Sequence, residues 1–371
     1  MTRNLRYHPW LHRLAVLVAA WTLLMIVAGG MVTSQKAGDS VPDWPLSYGS
    51  LLPPMVGNVF WEHGHRMVGM ALGLLTFTLA IAVIRTEARP RVRLLGWLAF
   101  PAVCLQGALG GFRVKIVSSA WLQDLIFTHP TGQKVNDLLV PVAVVHTATA
   151  QSLFCLMVIL AVVTSRRWLR IGRVPPTCLA CGYNLTGRND QPMVCPECGQ
   201  ASEFDAPFVS PMARKLRGIA IATLAIIFLQ ILLGAVRRHT DGTIVFHLIG
   251  AGLVLLHVGL LARRVFAGFA NVPALVKPVI WMLMLTAIQV VLGVASWVLT
   301  YEAIVKSWDL PNIRGSAEAA SAVLTAHLAL GAGLFALCTV ITMRSFHNVA
   351  LPASGEALAT DALPESEPLP A

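Results

Sequence analysis

Four histidines offer the clearest chemistry in the sequence. His65 and His146 lie in the first half of the chain, His247 and His327 in the second, each within or at the start of a long apolar stretch. An imidazole inside a bilayer is costly unless it is ligated, hydrogen-bonded or near water, so each is a functional candidate. For any one of them, an interfacial histidine bonded to a backbone carbonyl explains as much. Their spacing tips the balance. His65 recurs as His247 at an offset of 182 residues, His146 as His327 at 181, and the segment Gln106 to Gly110 as Gln289 to Gly293 at 183. One duplicated unit accounts for all three. Each half then holds two histidines with no third nitrogen or thiolate ligand close in sequence. That suits haem iron, which takes two axial ligands, better than zinc or copper.

Glu62, His65 and Arg66 stand at i, i+3 and i+4, so the three side chains share one helical face and a carboxylate sits one turn from a candidate ligand. Taken alone, an ion pair marking the helix start is the simpler reading. The second half has Ile244 and Leu248 at the matching positions, so only one histidine pair has a carboxylate beside it. Unequal duplicates suggest one site that does chemistry and one that stores or passes electrons. The other histidines fit less well. His63 lies about 200° around the helix from His65, and His257 lies about 15 Å deeper than His247 and turned roughly 80° away. His129 and His239 fall in outer loops, and His8, His12 and His347 near the inner face.

The seven cysteines form two groups. Cys104, Cys155 and Cys338 are single residues inside apolar stretches and read as packing. Cys178-x-x-Cys181 and Cys195-x-x-Cys198, each followed by glycine, form the pattern of a zinc ribbon: two knuckles of two thiolates complete a tetrahedral structural Zn2+ site. Disulfides are the alternative, and a reducing cytoplasmic loop disfavours them. Such a closed site is a structural or docking module, and its neighbours Arg166, Arg167, Arg170 and Arg173 read as membrane anchors, so no nucleic-acid partner is expected.

Positioning these residues requires a membrane scaffold. The chain of 371 residues is 56% hydrophobic and 12% charged, with a mean hydropathy of +0.68, which excludes an ordinary soluble domain. Eight stretches long enough to cross a hydrocarbon core lie at about 11–34, 66–84, 95–114, 138–164, 216–236, 243–262, 276–300 and 319–343. The first is too long for a signal peptide and has no cleavage site after it, so it reads as a retained span. The net charge of +10 is mostly topology. Of the 28 Lys and Arg, 19 lie at the amino terminus, in even-numbered loops and in the tail, and 9 on the opposite side. The positive-inside rule then puts both termini in the cytoplasm of a cell-membrane protein, and all four histidines toward the outer face.

The fold expected is all-α: eight transmembrane helices as two pseudo-symmetric four-helix bundles, plus a small cytoplasmic ribbon. Its domains are 1–165, a loop at 166–215 with the ribbon at about 176–200, 216–345, and a disordered tail at 346–371 rich in Ala, Pro, Glu and Ser.

These residues resemble the haem A synthase family. The resemblance is carried by Gly29-Gly30, the loop Pro42-Asp43-Trp44-Pro45-Leu46 followed by Pro53-Pro54, Glu62-x-x-His65-Arg66, the Leu105-Gln106-Gly107 segment and the histidines of spans four, six and eight. It covers residues 8–165 and 216–345; the ribbon is an addition to the family plan. The resemblance implies oxidation of the C8 methyl of haem O to a formyl group, giving haem A for terminal oxidases. It implies haem O as substrate at His65 and His146, and a haem b cofactor at His247 and His327. Glu62 matches the family's catalytic carboxylate, a proton acceptor or cation stabiliser. Arg66 is placed to pair with a haem propionate or with Glu62. Membrane lipid, an electron acceptor, haem O synthase, oxidase assembly factors and a second copy of the chain are the partners in keeping with it.

Two positions depart from the pattern. Many relatives carry a Cys pair where this chain has Val41 and Ser47, which excludes any mechanism needing a thiol in that loop. Leu248 stands where Arg often follows the first histidine of the second half, leaving Arg237 and Arg238 as candidates to neutralise propionates. The competing functions are a dihaem b-type electron-transfer protein like cytochrome b561, and a transporter using its histidines for proton coupling.

Overall fold

The computed structural model describes residues 5–127, 131–171, 178–185, 193–202, 206–240, 244–300 and 317–352. Of the tail expected at 346–371, residues 353–371 lie outside these residues, as do His129 and Arg173. Among them are eight helices long and apolar enough to cross a membrane, with mean hydropathies of 1.5 to 2.6 over their most apolar windows. They are α1 (Pro9–Ser34), α2 (Asn58–Thr86), α3 (Pro90–Ser118), α5 (Gly132–Val163), α7 (Ala213–His239), α8 (Val245–Gly268), α9 (Pro273–Thr300) and α10 (Ala317–His347). Two short helices, α4 (Ala120–Ile126) and α6 (Arg166–Arg170), join them. Among the described residues are also four two-residue strands: β1 (Met193–Val194) pairs with β2 (Ala201–Ser202), and β3 (Phe208–Val209) runs parallel to β4 (Val349–Ala350).

Local sequence sets the helix starts. Pro9 and Pro90 occupy the first turn of α1 and α3, where a missing N–H costs nothing. Thr131 caps α5 by accepting from Lys134 N, and Ser165 caps α6 by accepting from Trp168 N. Helix α2 begins at Asn58, eight residues before the apolar stretch, because a helix needs hydrogen bonds rather than hydropathy to extend past a membrane boundary. Glu62 and His65 therefore stand inside α2 rather than at its first residue.

Helices α1, α2, α3 and α5 close one four-membered ring, and α7, α8, α9 and α10 close another. The rings meet where α1 lies on α10 and α5 lies on α7 and α10. Two apolar cores result. One gathers Ala15, Val18, Leu79, Ala99 and Met157; the other gathers Ile227, Val258, Leu275, Met282 and Ile341, with Phe154 of α5 joining it. The perimeter is apolar too: Leu74, Trp97, Leu105, Leu256 and Val291 are all exposed, as lipid-facing residues are.

The two ends of the molecule differ. One end, called here the loop end, carries residues 35–57. The other, the ribbon end, carries residues 5–8 and 348–352. At the ribbon end Trp168 stacks on His347 at 3.7 Å between ring centres, and His347 Nε2 lies 2.9 Å from Trp168 O. Arg217 reaches Val349 O at 2.8 Å, and His12 Nδ1 lies 3.0 Å from Ala161 O. Glu87, between α2 and α3, is buried, which raises its carboxyl, but hydrogen bonds and charge from Arg89 outweigh this and hold it below its usual range.

Candidate functional site

Glu62 and Arg66 are both buried and form a 2.6 Å ion pair one turn apart on α2. Their remaining bonds hold the loop. Ser40 N and Val41 N donate to Glu62 Oε2 at 2.9 and 3.0 Å. Arg66 Nη1 donates to the carbonyls of Asp43 and Leu46 at 2.7 and 2.5 Å, and Nη2 reaches Val41 O. His63, on the other face of α2, joins in: Nδ1 lies 2.7 Å from Ser47 Oγ and Nε2 2.9 Å from Leu51 O. Asp43 braces the turn by accepting from Tyr48 N and Gly49 N, both at 2.8 Å. Slight burial raises the Asp43 carboxyl, and those two amides more than reverse it, leaving it below the usual range. Val41 is fully buried and Ser47 bonds His63, so packing and hydrogen bonds close the loop.

Each of the four histidines faces a glycine on the preceding long helix. A Cβ built on Gly29 would stand 3.0 Å from His65 Cε1, on Gly110 3.4 Å from His146 Cε1, on Gly234 3.1 Å from His247 Cε1, and on Gly293 3.1 Å from His327 Cε1. Four residues before three of these glycines is a glutamine that donates to the carbonyl of the facing histidine. Gln106 reaches His146 O at 2.7 Å, Gln230 reaches His247 O at 3.0 Å, and Gln289 reaches His327 O at 3.0 Å. At the fourth position stands Met25, whose Cε lies against Gly69, and Trp21 Nε1 instead donates to Val68 O at 3.0 Å. The brackets of Gln230 and Met25 were not singled out in the sequence, although the spacing Gln-x-x-x-Gly recurs in α7 and Met-x-x-x-Gly in α1.

The histidine pairs come together within their own rings. The imidazoles of His247 and His327 stand 6.3 Å apart, centre to centre. Two metal–nitrogen bonds of about 2 Å, plus about 1 Å from nitrogen to ring centre on each side, give about 6 Å. His146 lies within Coulombic reach of His65. Nδ1 of His65, His146 and His327, with Oε1 of Gln230 and Gln289, are buried without a hydrogen-bond partner among the described residues. Protein interiors rarely leave polar atoms so. The 6.3 Å separation of His247 and His327 fits a metal centre with two axial imidazoles, and Gln230 Nε2 lies 3.1 Å from His247 Nδ1.

Only one helix separates the pairs. Gly29 faces His65, while a Cβ on Gly30 would stand 2.9 Å from Thr325 Cγ2, two residues before His327. Arg238 donates to Gly30 O at 2.9 Å and to Ser34 Oγ at 2.5 Å, stitching α7 to α1 across the seam. Among the described residues Arg237 reaches Thr240 O, at 3.3 Å, and Leu248 is exposed. His257 sits half-buried deeper in α8, apart from the pair.

At the ribbon end, Cys178, Cys181, Cys195 and Cys198 bring their sulfurs within 4.8 Å of one another. Cys178 and Cys198 Sγ lie 3.8 Å apart, Cys181 and Cys195 Sγ 3.5 Å. A tetrahedral metal with bonds of about 2.3 Å needs edges of about 3.8 Å. Both knuckles make the same turn: Gly182 N bonds Cys178 O, and Gly199 N bonds Cys195 O. Gly182 and Gly199 have φ of 81° and 68°, the left-handed region that glycine enters without strain. This cluster can hold a metal ion. Leu179 O accepts from Tyr7 N, tying the ribbon to the segment before α1.

Eight membrane-length helices among the described residues, in two rings with a histidine pair in each, are those of a multi-pass membrane protein. The family model of the cytochrome oxidase assembly proteins matches residues 12–59, which run from α1 through the loop to the start of α2. The chain is 35% identical to Heme A synthase of Symbiobacterium thermophilum over 94 residues, 25% of this chain and 31% of that protein. Against Heme A synthases from two strains of Rhodopseudomonas palustris it is 34% identical over 110 residues and 28% over 151, covering 30% and 38% of those proteins. The chain thus spans roughly a third of the length of the relatives it matches. These matches make the chain similar to Heme A synthases over part of its length, and the four-cysteine ribbon lies outside the residues that the family model matches.

Proposed function

We propose that this protein is a haem A synthase: it oxidises the C8 methyl group of haem O to a formyl group, with substrate held by His65 and His146. The observation that carries the reading is the asymmetry of the two pairs. Glu62 stands one turn from His65, and no carboxylate stands at the matching place beside His247. A carboxylate fixed by three donors is a preorganised negative charge, suited to stabilising positive charge that develops on an oxidised methyl carbon. Arg66 acts as the positioning residue for Glu62 and, through the loop carbonyls, for the roof over this pair.

His247 and His327 would hold haem b, which supplies one-electron transfer when bound. Gln230 and Gln289 fix the backbone beneath these two histidines, and the close glycines let the imidazoles lie against α7 and α9. The thin wall at Gly29 and Gly30 keeps the two pairs in adjoining compartments, a short path for electrons. The positive-inside bias puts the ribbon end in the cytoplasm and the loop end on the outer side of the cell membrane. The four cysteines would bind Zn2+ as a structural site.

The test is expression with and without a source of haem O, followed by pigment extraction and mass analysis. Hydroxylated or formyl haem appearing only when haem O is supplied is the expected result. Haem b alone under both conditions would identify an electron-transfer protein instead.

A further inference from the structure

Arg66, the arginine nearest the substrate pair in sequence, has its guanidinium committed to Glu62 and to loop carbonyls. A substrate carrying two carboxylates needs another cation. At the loop end, one turn beyond the histidine pair, α3, α5 and α7 enclose a partly open cavity of about 200 Å³ lined by Arg113, Asn136, Leu139, Val140, Ala143 and His239. A water molecule occupies about 30 Å³ of liquid, so the cavity has room for a group much larger than one water.

The cavity lies in line with the ligand. Leu139 and Ala143 precede His146 by seven and three residues, so they share its face of α5, and Asn136, ten residues before it, stands about 15 Å further along the helix and roughly 80° around. Arg113 follows Gly110, which faces the His146 imidazole, by three residues on α3. Arg113 is itself held ready: Nη1 donates to Gly38 O at 2.9 Å and Asp39 Oδ1 at 3.2 Å. The guanidinium lies so close to Gly38 that a Cβ there would stand 2.6 Å from Nη1. Its bonds among the described residues leave from Nη1 alone, and a guanidinium has five N–H donors in a planar fork that matches a carboxylate. The walls give apolar contact for a short alkyl arm, and Asn136 and His239 give further donors.

We infer that Arg113, with Asn136 and His239, receives a propionate carboxylate of the porphyrin held by His65 and His146. This rests on the proposed substrate assignment. It gives the first site a carboxylate receptor that the second lacks at the matching position, where Ser296 stands.

The test is binding of protohaem and of its dimethyl ester to the full-length detergent-solubilised protein and to its Arg113→Gln variant. The second histidine pair contributes equally to both proteins, so the change in preference between them reports on Arg113. The wild type is expected to favour the free acid by about tenfold, the effect of one charge-assisted pair, and the variant to lose most of that preference. Should Arg113→Gln fail to fold, Arg113→Lys keeps the charge but not the fork, and an intermediate preference is expected. A preference unchanged from wild type in either variant would overturn the inference alone. Failure of the wild type to take up either porphyrin would overturn the substrate assignment on which it rests.

Discussion

Glu62 has two tasks at once, and they are separable by substitution. Its carboxylate ties Ser40, Val41 and Arg66 together, and it stands one turn from His65. Glu62→Gln keeps the shape and an acceptor oxygen while removing the charge. It is expected to retain bound haem but to lower haem A formation by about a hundredfold or more, the scale of a lost charged catalytic group. Undiminished conversion by this variant, measured by pigment analysis, would remove Glu62 from the chemistry. Glu62→Ala is the harsher change, since it leaves the Arg66 cation buried without its partner, at a cost of about 3 to 5 kcal/mol. The sequence made Glu62, His65 and Arg66 legible through i, i+3, i+4 spacing. It hid what Arg66 touches, because the Asp43 and Leu46 carbonyls that accept its bonds come from a loop whose path no periodicity encodes. His63 was legible as facing away from His65; its bonds to Ser47 and Leu51 were not.

At the scale of the helix pair, the recurring unit is a glycine under an imidazole with a glutamine one turn before it. Gly293→Leu forces a side chain into a space where even a Cβ would lie 3.1 Å from the His327 ring. Pigment content per chain is expected to fall by roughly half, with the first site spared, because overpacking acts locally. Equal loss of both pigments would mean that the two rings do not hold their centres independently. Gln289→Leu removes the donor to His327 O and to the ring edge, where Nε2 lies 3.3 Å from His327 Nε2. A net cost of about 1 kcal/mol is expected, read as weaker retention of the second haem on dilution. Helix count and order were plain from hydropathy, since eight apolar stretches can hardly be missed. Helix ends were not, as polar first turns such as Asn58 to Arg66 continue a helix without changing its hydropathy signal. The exchange of Gln for Met25 in the bracket beneath His65 was open to inspection, but only the fold shows that Met25 fills the equivalent slot.

At the scale of the whole molecule, the chain is a membrane body with a ribbon attached at one end. Cys195→Ser combined with Cys198→Ser removes half of the thiolates, and zinc measured in the purified protein is expected to fall from about one per chain to near zero, since a closed four-thiolate site tolerates no such loss. Haem content is expected to stay, because the ribbon meets the body at the ribbon end through Tyr7 and Leu179, far from the loop. Concerted loss of zinc and haem would make the ribbon part of the catalytic body. The paired knuckles were legible from spacing alone, while the bond from Tyr7 N to Leu179 O that ties them to the segment before α1 is one that no motif announces. The central claim is two unequal histidine pairs, one for substrate and one for cofactor. It is tested most directly by mass analysis of pigments from His65→Ala and His247→Ala variants made with haem O supplied. The account predicts haem b alone in the first, and unconverted haem O without haem b in the second. Haem b lost from His65→Ala and kept by His247→Ala would contradict it.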